Sequence, residues 1–175
     1  MSKISPLAII EAGAIIGKNV EIGPYCLVSS QAIIGDGTII EQNSCIYGKT
    51  IIGKNNHIFS HAVIGSVPQD LKFAGEDVEL IIGDYNKIRE FTLFNPGTKG
   101  GGGKTIIGSH NLFMGYVHIG HDVIVGNHCI LANAANIAGH VEIGDYAVIG
   151  GMTPIHQFVH IGNYAMVAGA SALTQ

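Results

Sequence analysis

The chain is short of charge. Asp, Glu, Lys and Arg make up 13% of its 175 residues, against 47% apolar residues, and about a quarter charged is usual. So few charges predict that part of the surface is hidden against other copies of the chain. The net charge is −4 and no Lys or Arg follows Lys104. That removes the basic stripe a non-specific nucleic-acid binder needs, and no nucleic-acid partner is expected. No apolar run approaches the roughly twenty residues of a transmembrane helix. The opening MSKISPLAIIEAG places Glu11 where a secretory leader needs unbroken apolar chain, so a cytoplasmic setting is expected. Cysteine is scarce. Cys26, Cys45 and Cys129 form an odd, scattered set that suits reduced thiols better than a disulfide framework. Glycine is abundant instead, at 25 residues, about twice the usual share of roughly 7%, yet without a collagen period.

What fills the chain is a six-residue repeat. Aliphatic residues recur at Ile4, Ile10, Ile16, Ile22, Val28, Ile34, Ile40, Ile46, Ile52, Ile58 and Ile64. The pattern returns in the same phase at Ile82 and Ile88, slips by one residue, and continues from Ile107 and Phe113 through Ile119, Val125 and Leu131 to Val167 and Leu173. Two residues before each member of the two unbroken runs lies a small one, such as Ala8, Ala14, Cys26, Ala32, Ser44, Asn56, Cys129, Ala135 or Ala147. Gly often follows the aliphatic residue directly, as at Gly17, Gly23, Gly35 and Gly53. A period of six excludes an α-helix, and inward candidates two apart are the mark of a strand. Gly after the aliphatic residue is expected to supply the positive φ of a tight corner. Three hexads, eighteen residues, then close one coil of a three-sided prism in which each aliphatic side chain stacks on its equivalent one coil on. The fold class is all-β, a parallel β-helix of hexapeptide repeats over residues 1–175. The repeat resembles the hexapeptide-transferase superfamily, and this resemblance implies a left-handed coil.

Two segments lack the rhythm and read as loops leaving the corners, about 66–80 (SVPQDLKFAGEDVEL) and 95–104 (NPGTKGGGGK). Loops on a rigid scaffold are where binding groups concentrate. Leu173 still keeps the register near the end, so the chain is expected to be a fragment that stops mid-helix without its cap.

All nine His residues avoid the inward positions, and seven of them lie at or after His110. GYVHIGHD sets His118, His121 and Asp122 together. Stacking by eighteen places Gly139 and then Gln157 above His121, and His140 above Asp122. A base, an adjoining carboxylate and a small residue with a free backbone N–H make an acyl-transfer site, provided the backbone bends between His121 and Asp122. Cys26 and Cys129 sit at the small inward position, so packing accounts for them. GTKGGGGKT has the look of a phosphate loop, but the spacing fails at Thr98 and a strand hexad follows.

IGSVPQDLKFAGE, NKIRE, GYVHIGHD, CILANAANIAGHVEIGD and GGMTPIHQF together resemble the UDP-N-acetylglucosamine 3-O-acyltransferases of Gram-negative bacteria across essentially the whole chain. The resemblance implies a homotrimer with sites between protomers and no cofactor or metal. It implies a cytoplasmic acyl transfer from 3-hydroxyacyl carrier protein to the 3-hydroxyl of UDP-N-acetylglucosamine, the first step of lipid A synthesis. His121 matches the general base, Asp122 its supporting acid and Gly139 the oxyanion donor. Gln69, Asp70, Lys72, His118, His140 and Gln157 match substrate contacts, and the Gln69–Lys72 loop is expected to reach a neighbouring subunit. Gly169 matches the position that limits acyl length, where Gly suggests a longer chain. Two departures stand out. Asn95-Pro96 replaces a His-Arg pair, and the family's helical C-terminal domain is absent from this chain. The alternatives are a hexapeptide acyltransferase of another branch, a zinc-dependent γ-class carbonic anhydrase using His ligands, and a scaffold without catalysis.

Overall fold

In the computed structural model, which describes residues 1–174, the hexads wind into a left-handed parallel β-helix, opposite in hand to most parallel crossovers. Most strands are two residues long, and they stack into three flat faces of nine, eight and eight strands among the described residues. The first face starts at Lys3–Ile4, the second at Ile9–Ile10 and the third at Ile15–Ile16. In each strand the second residue points inward. Ile34, Ile40, Ile46, Ile52, Ile58 and Ile64 are all buried, each burial contributing about 1.5–3 kcal/mol. Their strand neighbours point outward, which leaves Ile15, Ile33, Ile106 and Ile124 exposed along the third face.

Register shows how the loops are accommodated. Ile34 pairs with Ile52, eighteen residues on. Ile52 pairs with Ile82, a separation of 82 − 52 = 30, and Ile82 with Ile107, a separation of 107 − 82 = 25. Both loops therefore leave and rejoin at the same place in the coil, and the second produces the one-residue slip. The strands Glu79–Ile82 and Lys104–Ile107 are four residues long, so Glu79, Leu80 and Lys104 belong to sheet. Leu80 is fully buried between Thr50 and Thr105, its partners in the adjoining coils.

The small inward position carries more than packing. On the first face Thr38, Asn56, Asn86, Asn111 and Cys129 form one buried column. Asn86 Nδ2 donates to Asn56 Oδ1 at 3.0 Å and to Gly108 O at 2.9 Å, while Asn86 Oδ1 accepts the Asn111 N–H at 3.0 Å. Asn111 Oδ1 accepts the Cys129 N–H at 2.7 Å. These amides satisfy backbone groups where the coil turns.

The corners correct the expectation about glycine. Positive φ falls three residues after the inward aliphatic, and eighteen non-glycine residues among those described adopt it, including Asn19, Tyr25, His110, Asp122 and Tyr146. Most glycines directly after the aliphatic residue are there because neighbouring coils nearly touch, although Gly65 does take a positive φ. A Cβ on Gly53 would lie 2.6 Å from Gly83 O, and one on Gly83 2.6 Å from Gly108 O. Left-handed backbone costs a non-glycine residue roughly 1–2 kcal/mol. Stacked rings offset part of this at one corner, where Tyr85, His110, His128, Tyr146 and Tyr164 lie face to face with centroids 4.8–5.0 Å apart.

Candidate active site

The strand His118–Ile119 ends on the second face, and the chain turns to the third through Gly120, His121 and Asp122. Asp122 takes the left-handed position of this corner, with φ 60°. That bend swings two consecutive side chains to the same side. His121 Nδ1 lies 2.8 Å from Asp122 Oδ2. His121 is 8% exposed and Asp122 6%, so both are withdrawn from bulk water although neither faces the core.

Asp122 is held from the second loop. Its Oδ1 accepts the Thr98 N–H at 2.8 Å and its Oδ2 the Thr98 hydroxyl at 2.7 Å. Its own N–H donates to Thr105 Oγ1 at 2.9 Å. A carboxylate so placed can only accept. His121 Nδ1 therefore carries the proton of the bond between them, which leaves the Nε2 lone pair free.

One coil on, Gly139 lies against the imidazole. A Cβ there would sit 2.5 Å from His121 Cε1 and 2.7 Å from Nε2. Gly139 is buried, and its N–H has no acceptor among the described residues. His140 meets the His121 ring edge to face at 5.0 Å and stacks on Phe158 at 4.5 Å. Its Nε2 is 3.8 Å from Asp122 Oδ2, too long for a hydrogen bond. His118 Nδ1 lies 3.0 Å from Leu93 O. Burial pulls the His118 pKa below its ordinary value, only partly countered by that carbonyl.

A cleft of about 610 Å³ opens beside this corner, lined by Asp70, Lys72, Thr98, His140 and Phe158 among others. The first loop thus brings Asp70 and Lys72 to His140 within one protomer. Gln69 is exposed on that loop, and Gln157 is exposed at the corner next to Phe158. Gly169 is not brought to this cluster. It lies on the corner between the first and second faces, beside Gly150 and Gly151. Asn95 is 1% exposed, and its Nδ2 donates to Ser66 O at 3.1 Å and Val67 O at 3.3 Å, tying down the root of the first loop. His121, Asp122 and His140 could together reach a metal ion, with ligand atoms within 4.8 Å of one another. Both Asp122 oxygens already accept hydrogen bonds, however.

Reasoning from the sequence missed Thr98, Thr105 and Gly101. The usable signal was the second loop itself, since a buried carboxylate demands donors and the polar loop is inserted one coil before Asp122.

A three-faced hexapeptide coil with a His–Asp pair at one corner defines a left-handed β-helix protein of the hexapeptide-repeat class, and residues 104–136 match the bacterial transferase hexapeptide model. The acyl-[acyl-carrier-protein]–UDP-N-acetylglucosamine O-acyltransferase of Sulfurimonas denitrificans is 89% identical over 123 residues, covering 70% of this chain and 47% of that protein. The solved UDP-N-acetylglucosamine acyltransferase of Campylobacter jejuni is 48% identical with TM-score 0.95, covering 99% of this chain and 68% of that one. LpxA from Acinetobacter baumannii is 47% identical with TM-score 0.97, covering 98% and 66%. The chain belongs to the UDP-N-acetylglucosamine acyltransferase family. It spans about half the length of the curated relatives it matches. No helix among the described residues is long and apolar enough to cross a membrane.

Proposed function

We propose that this chain carries the catalytic corner of an acyltransferase that moves a 3-hydroxyacyl group from acyl carrier protein to the 3-hydroxyl of UDP-N-acetylglucosamine, opening lipid A synthesis. The relatives' names supply both substrates. The observation that carries the chemistry is the His121–Asp122 pair pressed against Gly139.

In this reading the sugar hydroxyl gives its proton to His121 Nε2 as its oxygen attacks the thioester carbonyl carbon. Asp122 steadies the imidazolium through Nδ1–H. The carbonyl oxygen takes up negative charge, and the buried Gly139 N–H, which has no protein acceptor among the described residues, is available to receive it. Collapse breaks the C–S bond. The departing sulfur recovers the proton from Nε2, so the histidine returns unchanged. Asp70, Lys72 and His140 line the adjoining cleft and bind substrate there, with Gln69, His118 and Gln157 as further contacts. The family resemblance assigns acyl length to Gly169, on another corner of the protomer. Positioning an alcohol against a thioester needs no covalent enzyme intermediate and, in this scheme, no metal.

Sparse charge and outward-facing Ile15, Ile33, Ile106 and Ile124 support self-association, which this reading takes to be a homotrimer in the cytoplasm. The test is turnover of UDP-N-acetylglucosamine with 3-hydroxyacyl carrier protein by the full-length protein. His121→Ala is expected to lower kcat by about 10²-fold or more. A loss below about tenfold removes His121 from the role of base.

A further inference from the structure

We infer that the loop 97–103 is a positioning device for the base, in which Thr98 clamps the Asp122 carboxylate and Gly101 closes over it, fixing which nitrogen of His121 is free. This inference rests on His121 being the base. It adds two residues that touch neither reacting atom.

The loop looks floppy on paper, with four consecutive glycines, yet it is tied to itself. Gly101 and Gly103 both donate their N–H to Thr98 O, at 3.1 and 2.8 Å, and Gly97 donates to Glu79 O at 3.1 Å. A Cβ on Gly97 would strike the backbone of Gly103 and Lys104. The two ends of the loop are therefore pinched together, and residues Lys99–Gly101 form one short 3-10 turn between them.

That pinch presents Thr98 to Asp122 with both of its donors. The backbone N–H and the hydroxyl bond to different oxygens of one carboxylate, which fixes the carboxylate plane as well as its position. Gly101 supplies the cover. A Cβ built there would overlap the carboxyl carbon and both oxygens of Asp122, so no larger residue fits without displacing the carboxylate or lifting the loop. Gly101 has no positive φ to explain it, unlike Gly102 and Gly103. Close approach is the remaining reason for a glycine. The Asp122 side chain is 1% exposed as a result. Shielded from water and doubly clamped, the carboxylate has one direction left in which to accept, toward His121 Nδ1–H.

The experiment uses the full-length protein. Thr98→Val removes the hydroxyl donor and keeps the shape, Thr98→Ser keeps both donors, and Gly101→Ala inserts the Cβ. Thr98→Val and Gly101→Ala are each expected to lower kcat by about tenfold or more while both KM values stay within about twofold, and Thr98→Ser is expected to recover most of kcat. A second readout needs no substrate. The wild type is expected to show a low-field imidazole N–H proton signal from His121 Nδ1 that is lost in Gly101→Ala and kept in Thr98→Ser. Losses confined to KM, failure of Ser to rescue, or an unchanged proton signal in Gly101→Ala would each overturn the inference. Should Thr98→Val fail to fold, Gly101→Ala decides the matter. Silence of the loop variants beside a dead His121→Ala sinks this inference alone, whereas silence of His121→Ala sinks the site reading beneath it.

Discussion

Replacing Asn86 by Ala would leave the outside of the coil untouched and open a fault in its axis. Asn86 is 1% exposed. Its Oδ1 is the acceptor for the Asn111 N–H, and its Nδ2 serves Asn56 Oδ1 and Gly108 O. Alanine removes all three bonds. Asn56 Oδ1 keeps a partner, because the Asn86 backbone N–H also donates to it at 2.8 Å. The Asn111 N–H and the Gly108 carbonyl lose theirs. The buried Asn111 N–H left without a partner costs about 1–3 kcal/mol, and the half-buried Gly108 carbonyl, which water reaches in part, adds less; the loss is a large fraction of the stability of an ordinary domain. The outward neighbour Lys87 is the control, since an exposed surface change stays within about 0.5 kcal/mol. Urea unfolding followed by far-ultraviolet circular dichroism measures both at fixed protein concentration. If Asn86→Ala costs less than about 1 kcal/mol, the amide column is packing and not a hydrogen-bonding spine.

Gly139→Ala should act on the chemistry without harming the fold. Its Cβ would meet the His121 ring at 2.5–2.7 Å, so the imidazole must move. Turnover is expected to fall by about 10²-fold, and kcat within tenfold of wild type would show that the ring has room to give. The pH dependence of stability has a contribution of known sign from His118, whose folded pKa lies below the ordinary 6.5 because of burial. In the window between those two values the unfolded chain binds more protons, so this contribution is intact above about 6.5 and stability is lost as pH falls below it. His118→Gln is expected to lose less stability than wild type between pH 7.5 and pH 5.5 in parallel urea titrations. Equal losses would refute the assignment.

The hexads made most of this molecule legible. Spacing by eighteen brought His121 to Gly139 and Asp122 to His140 before any coordinates, because a solenoid turns sequence distance into height. Two kinds of detail escaped. Residues in the loops obey no period, so Thr98 and Gly101 reach Asp122 by the loop's own hydrogen bonds, which no count along the chain reveals. Residue size misled as well. Asn56 read as a small filler, although the amides of Asn56, Asn86 and Asn111 do the bonding, and corner glycines read as sources of positive φ when Gly53 and Gly83 answer crowding between coils. Most left-handed positions went instead to Tyr, His, Phe, Asn and Asp122, whose rings or short polar side chains gain something from standing there, while Ala134, Met152 and Ala170 hold three without such a gain.

Successive visits to one strand position are separated by 18, 30 or 25 residues while the pairing stays one to one. The prism is thus indifferent to how much polypeptide is spent between them. Evolution, or a protein engineer, can lengthen the excursion bearing Asp70 and Lys72 without shifting the register of the strands that carry the imidazole.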